Sequence, residues 1–185
     1  MIDKNVKYSL DDVCIMPAKN SFISHRSMAD IWHKTAIPHF EDGKTLPLFT
    51  APMDSVVSLD SLEFWEKNKI IPIVPRTVSI EERIESVRQQ RWTAFGLSEF
   101  NDLFCNLGSV ERSILVKGVE DYYVLIDIAN GNMERLMNSI KSAVNASVHN
   151  NGNPYHLHIM AGNIANPETY GLLSECGVEY VYTLS

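Results

Sequence analysis

Hydrophobic and polar positions change period repeatedly along this chain, and the clearest signal is an unbroken apolar run. Tyr123-Val124-Leu125-Ile126 contains no charged or strongly polar residue. That is the pattern of a strand buried on both faces of a parallel sheet covered by helices. The run ends at Asp127, and Ala129-Asn130-Gly131 turns the chain into a helical pattern in which Leu136, Ile140, Ala143 and Val144 share a face. A carboxylate where a buried strand emerges must meet water, a ligand or a partner. Strand, carboxylate, glycine turn and helix form the repeating unit of barrel and doubly wound α/β enzymes, whose chemistry sits at the carboxyl ends of the strands.

The same alternation extends over the chain. Tyr8 to Met16 is a short mixed segment closed by Pro17, and Lys19 to His39 is polar with little periodicity. Leu46 to Ala51 reads as a strand running into Pro52-Met53-Asp54, and Leu59, Leu62 and Trp65 follow at helical spacing. Ile70 to Val74 is the second strand, with Pro72 inside it, and leads to Pro75-Arg76-Thr77. Ser79-Ile80-Glu81-Glu82 has the form of a capping box for a helix to about Gln90, with Ile80, Ile84 and Val87 as its buried stripe. Thr93 to Leu97 is a third strand, and a helix over Val110 to Lys117 leads to the central run. After the turn Asn150 to Pro154, His156 to Met160 is a fifth strand that emerges at Ala161-Gly162-Asn163. Asn166 caps the next helix, Pro167 fits its first turn and Gly177 stops it, and Val178 to Leu184 is the sixth strand.

Six strands alternating with helices fit right-handed crossovers throughout. A (β/α)8 barrel typically needs on the order of 250 residues and eight such units, so at 185 residues the expectation is an incomplete TIM barrel about two units short, a single domain over 1–185, although an open doubly wound sheet could stop at six strands. No GxGxxG follows a strand, so the dinucleotide fingerprint of the open doubly wound fold is missing from the sequence.

Composition narrows the function classes. With 45% hydrophobic and 21% charged residues the chain can bury a good core, and its net charge of −7 carries no basic cluster. That argues against sequence-independent nucleic-acid or anionic-membrane binding. No apolar run approaches membrane length and Met1-Ile2-Asp3-Lys4 does not open a signal peptide, so a cytoplasmic protein is expected. Cys14, Cys105 and Cys176 are widely spaced, which speaks against a disulfide framework or a zinc motif. His156 and His158 share a strand face that could suit a metal. With no third ligand nearby in sequence they read as a polar patch at a strand start, and no metal is expected.

Four stretches carry a resemblance. Asp127-Ile128-Ala129-Asn130-Gly131, Ile159-Met160-Ala161-Gly162-Asn163, Ala51-Pro52-Met53-Asp54-Ser55-Val56 and Ser9-Leu10-Asp11-Asp12-Val13 together resemble signatures of the IMP dehydrogenase and GMP reductase family of barrel oxidoreductases, in the family's order. The family's dehydrogenases usually carry a regulatory insertion after the second barrel helix, and none fits between Gln90 and Thr93. That, with the Asp-x-Ala-Asn-Gly form at Asp127, is more similar to the reductases. Ala-Pro-Met-Asp and Arg76 are more like the dehydrogenases.

The resemblance implies roles. Ala51, Met53 and Asn163 would meet a purine mononucleotide. Asp127, Ile128 and Ala129 would meet a nicotinamide cofactor, NADP or NAD, with Arg76 nearby; an ionised Asp127 suits a ribose hydroxyl or carboxamide. Arg26 matches an arginine that reaches the cofactor of a neighbouring subunit, although His25 replaces the usual serine before it. Without the resemblance, Met53 suits a core position, Asn130-Gly131 a plain turn and Arg76 a solvated charge. In the family, the nucleophilic cysteine loop, where a monovalent cation can bind, and the flap that supplies acid and base groups come after the sixth strand. Cys176 precedes that strand, so no catalytic residue is assigned here. The expectation is therefore the amino-terminal part of a purine-nucleotide oxidoreductase, inactive alone, that needs a complementing carboxyl-terminal barrel portion and forms a homo-oligomer, a tetramer, when complete. The alternative is a non-catalytic relative that binds a nucleotide or a partner.

Overall fold

The computed structural model describes residues 19–20, 22–105, 119–149 and 154–182. Two compact units are distinguished, Met1–Ile31 and Trp32–Ser185. In the first, the described residues include a 3-10 turn, Arg26–Met28, capped by the His25 ring, whose Nδ1 accepts the Ser27 N–H.

In the second unit, β1 (His33–Lys34) pairs antiparallel with β2 (Lys44–Thr45), a ribbon inside a stretch whose polar sequence gave no strand signal. Gly43 takes a left-handed φ of +63° in its connection, a conformation that costs glycine little. The main sheet is parallel and in sequential order: β3 (Thr93–Phe95), β4 (Asp121–Asp127), β5 (His156–Gly162) and β6 (Tyr180–Val181). The expected strands at 46–51 and 70–74 are reduced to isolated parallel bridges, Phe49 to Ile71 and Val74 to Thr93. Pro47 and Pro72 have no N–H to donate to a ladder, and Thr50 Oγ1 takes the Ile73 N–H at 3.0 Å, so no regular ladder continues between these segments. Hydrogen bonds from Thr50 N to Ile71 O (3.0 Å) and Ala94 N to Val74 O (2.9 Å) still carry the parallel order into β3.

Helices α1 (Leu62–Lys67), α2 (Ile80–Arg88), α3 (Leu97–Phe100), α4 (Glu134–Val148) and α5 (Pro167–Glu175) accompany the sheet. The sequence capping signals largely hold. Asn166 accepts the Thr169 N–H at 2.7 Å at the start of α5, and Gly177, at φ +102°, follows its end. At α2, Ser79 Oγ accepts the Glu82 N–H, while the Glu82 carboxylate takes the Ser79 hydroxyl at 2.6 Å, where the sequence signal implied the Ser79 backbone N–H. The third strand stops at Phe95, two residues early. Glu99 reaches back to the Gly96 N–H at 2.8 Å and turns Leu97 into the first residue of a helix.

The apolar run of β4 divides as its period predicts. Tyr122, Val124 and Ile126 pack with Val87, Phe100, Leu136, Ile140 and Leu173 from the helices. Tyr123 and Leu125 face the opposite cluster of Ile37, Phe40, Ile71, Ile73, Trp92, Ala94 and Met160. Both faces are buried, which is why the run needs no polar alternation. Each fully buried side chain of this size contributes about 1.5–3 kcal/mol. Trp92 centres the second cluster, with its ring 5.6 Å from Phe49, 5.5 Å from Tyr123 and 5.4 Å from Tyr180.

One buried charge was not legible. Arg83 lies on the inner side of α2, only 4% exposed. It donates to the Val78 and Ala94 carbonyls at 3.0 Å each and clamps both Glu99 carboxylate oxygens at 3.0 and 2.6 Å. Its guanidinium also sits 5.1 Å from the centre of the Phe95 ring. The opening segment 9–13, Cys14, the expected helix 110–117, turn residues 150–153 and residues 183–185 lie outside the described residues.

Candidate functional site

Parallel strands in sequential order bring the segments after their carboxyl ends to one rim. Arg76, Gly96, Asp127 and Asn163 all occupy it. Arg76 leaves the 70–74 segment through the buried Pro75 and projects a side chain that is 47% exposed. Its Nη1 donates to the Asp127 backbone carbonyl at 3.3 Å, and its Nε lies 4.0 Å from Glu99 Oε2. The guanidinium passes over Gly96, where an added Cβ would stand 2.8 Å from Nη2. Glycine at this position is what lets the cation cross from one strand end to the next. Glu99, shared between Arg83 and the Gly96 amide, is held below its ordinary ionisation range chiefly by Arg83, against the opposing effect of burial.

Asp127 is half-buried at the mouth of β4. Its Oδ1 accepts the Tyr182 hydroxyl at 3.1 Å, from the segment that follows β6. Burial, and then the Asp127 charge, push the Tyr182 phenol well above its usual range, so that it acts as a donor at any ordinary pH. Asp127 is thus partly satisfied by the protein, through a residue that the sequence reading passed over. Its second carboxylate oxygen has no hydrogen bond among the described residues.

The two glycine-bearing loops are tied to each other. The Asn163 N–H donates to the Ile128 carbonyl at 3.0 Å, and the Gly131 N–H donates to the Asn163 carbonyl at 2.7 Å. A Cβ on Gly131 would meet the Asn163 carbonyl oxygen at 2.8 Å and Ile164 Cγ2 at 2.7 Å. A Cβ on Gly162 would collide with the Tyr182 backbone. Asn130 Oδ1 accepts the Asn132 N–H at 3.0 Å, so the Asn130-Gly131 pair does form a turn, and that turn positions the loop. Ile128 is half-buried and Ala129 exposed beside it.

Ala51 and Met53 follow the first bridging segment and are both exposed, Met53 by 55%. Core placement, the alternative for Met53, is ruled out. The turn there is fixed by the Met53 N–H on Ala51 O (2.8 Å) and the Val57 N–H on Met53 O (2.8 Å). Arg26 belongs to the other compact unit, where it is exposed. Hydrogen bonds therefore join Arg76, Asp127, Ile128, Gly131, Asn163 and Tyr182 into one constellation. Ala51 and Met53 stand on the same rim without a hydrogen bond to that group among the described residues.

Chemically, the constellation offers an accessible cation, a carboxylate with a free oxygen and a polar loop at the start of a helix, a setting for a ligand with hydroxyl and anionic groups. It presents no thiol among the described residues, since Cys176 is buried at the end of α5 and Cys105 lies on a helical turn.

Over 184 residues the chain is 27% identical to a GMP reductase of Shewanella pealeana and 28% identical to a GMP reductase of Shewanella halifaxensis. Each match takes in 97% of this chain and 50% of the relative, so the chain spans about half the length of the curated relatives it matches. A crystal structure of inosine 5′-monophosphate dehydrogenase from Legionella pneumophila is similar in fold, with a TM-score of 0.58 over 92% of this chain and 48% of that one at 20% identity. No family model matches the chain. No helix among the described residues is long and apolar enough to cross a membrane.

Proposed function

We propose that this chain, similar over nearly its whole length to GMP reductases, belongs to the IMP dehydrogenase/GMP reductase family of oxidoreductases and is the amino-terminal part of the catalytic barrel of a purine-nucleotide oxidoreductase. It works together with a carboxyl-terminal barrel portion, and the complete protein transfers hydride between a nicotinamide cofactor and purine C2. The observation that carries this reading is the rim itself, where Arg76, Asp127 and Asn163 converge from separate strands through hydrogen bonds. In addition, β6 pairs only with β5 among the described residues, which leaves its far edge for a further strand of the same barrel.

In this reading Ala51, Met53 and Asn163 contact the purine mononucleotide. Asp127, Ile128 and Ala129 hold the cofactor, with the free Asp127 oxygen accepting from a ribose hydroxyl or the carboxamide. Arg76, pinned over Gly96, faces the cofactor's anionic part, which favours NADP over NAD. Arg26 serves the cofactor site of a neighbouring copy in a homotetramer. The covalent and acid–base steps belong to the carboxyl-terminal portion, which would also carry a monovalent cation. The direction assigned is GMP reduction, on the strength of the Asp-x-Ala-Asn-Gly form and the direct passage from α2 to β3.

The test is reconstitution. The 185-residue chain is mixed with the carboxyl-terminal half of a Shewanella GMP reductase, and oxidation of NADPH is followed with GMP as substrate. Turnover by the mixture but by neither part supports the proposal. GMP or NADPH binding without turnover in any reconstituted form would turn it into a non-catalytic binding role, and absence of both would refute it.

A further inference from the structure

We propose that the opposite, amino-terminal end of the sheet carries a divalent transition-metal site formed by Asp121, His156 and His158, with Glu179 orienting the His158 ring. In sequence, His156 and His158 are a pair without a third ligand. The fold supplies two carboxylates. Asp121 is the register partner of His156 across β4 and β5, and Glu179 immediately precedes β6. Ligand atoms of Asp121, His156 and His158 all lie within 4.8 Å of one another.

The His158 ring carries the argument. Its Nε2 is 3.2 Å from Asp121 Oδ1, and its Nδ1 is 2.9 Å from Glu179 Oε2. A neutral imidazole has one N–H and one lone pair, so one of its nitrogens points a lone pair at a carboxylate oxygen. That arrangement is repulsive unless the ring carries a second proton, so that both nitrogens donate, or a metal ion stands between Nε2 and Asp121. Among the described residues no lysine or arginine is ion-paired with either carboxylate; their ion pairs go to His156 and His158. A metal between Nε2 and Asp121 meets the need. Glu179 then accepts Nδ1–H, the carboxylate–histidine–metal arrangement that fixes ring orientation and raises ligand basicity. Adjacent donors around tetrahedral zinc stand about 3.3 Å apart, as its bond lengths require, and 3.2 Å is close to that spacing.

The rest of the site fits this role. The His158 ring is stacked on Tyr123, with centroids 4.5 Å apart and planes 4° apart, which fixes one face of it. His156, 59% exposed at its side chain, stacks on the other face at 4.1 Å with Nε2 on Glu179 Oε1 at 2.9 Å. Because parallel rings cannot both aim at one ion, metal binding turns His156 off the stack, which its exposure permits. Two imidazoles and a carboxylate, with water completing the shell, suit Zn2+, Co2+ or Ni2+ and not Mg2+ or Ca2+. A cavity of about 190 Å³ lined by His158, Glu179, Tyr123 and Trp92 adjoins the cluster. An ion here ties β4, β5 and β6 together at the end of the sheet away from the candidate nucleotide rim, the barrel face associated with stability.

The experiment is calorimetric titration of Zn2+ into the EDTA-treated 185-residue chain, with Co2+ absorption as a second readout. The expected result is one Zn2+ per chain and visible Co2+ bands of a four-coordinate nitrogen and oxygen site. Affinity should fall at least tenfold in His158→Gln and in His156→Ala and stay unchanged in His149→Ala. His156→Ala removes an exposed side chain and should keep the wild-type circular dichroism spectrum, so lost binding in that variant is not misfolding. No saturable binding, or equal binding by all three variants, overturns the proposal.

Discussion

Replacing Arg83 by methionine tests whether the floor of the rim is held by the buried guanidinium. Methionine keeps most of the aliphatic volume against α2 and removes the charge. Four hydrogen bonds are lost, two to the Val78 and Ala94 carbonyls and two to Glu99. Breaking a buried ion pair from one side typically costs about 3–5 kcal/mol, because the partner is left uncompensated. Glu99 is 33% exposed, so water screens part of its orphaned charge, and the lower end, about 3 kcal/mol, applies. For a domain of this size that corresponds to a melting temperature lower by roughly 6–12 °C. Thermal unfolding followed by circular dichroism, with urea unfolding as a check on two-state behaviour, measures it. Adding Glu99→Gln removes the orphaned charge while keeping an acceptor for the Gly96 N–H. The double variant should therefore lose about 1–2 kcal/mol less than the sum of the single losses. An Arg83→Met protein within about 1 kcal/mol of wild type, or strictly additive losses, would show that the pair is not what secures α2 and α3 to β3.

Asp127→Asn keeps an acceptor for the Tyr182 hydroxyl and removes the charge. If the free oxygen serves the cofactor, the reconstituted protein should bind nicotinamide cofactor at least tenfold more weakly while melting within a few degrees of wild type; a large fall in melting temperature with unchanged affinity would make Asp127 a structural cap for the β6 end. Gly131→Ala forces a methyl group against the Asn163 carbonyl and Ile164, and should destabilise the chain by about 1–3 kcal/mol and loosen both rim loops, read as faster amide exchange at position 131 and at Asn163; wild-type exchange would refute the close approach. Glu99 ionises below its ordinary value of 4.5 in the fold, so its contribution is fully present above that pH and is lost as pH falls through the lowered value. Urea unfolding of wild type should weaken over that acidic window, and the decline should be shallower in Glu99→Gln; parallel curves would remove Glu99 from the account.

The local features were legible because each is written within a few residues. The two-sided burial of Tyr123 to Ile126, the caps at Ser79 and Asn166 and the stop at Gly177 follow from period, side-chain reach and backbone freedom. So did the sequential parallel order, since each strand is followed by a helix that returns the chain for another parallel crossing. The first two strands were overestimated because apolar character survives proline while ladder hydrogen bonding does not. The ribbon at 33–34 and 44–45 was missed because its stability comes from pairing and not from an apolar stripe. What only the tertiary structure decided are the partners distant in sequence: Tyr182 on Asp127, Arg76 across Gly96, Arg83 on Glu99, and Asp121 and Glu179 around His158. Each pair joins different strands or helices. Sequence spacing fixes which end of a strand a residue occupies, but the parallel register sets which charges meet there.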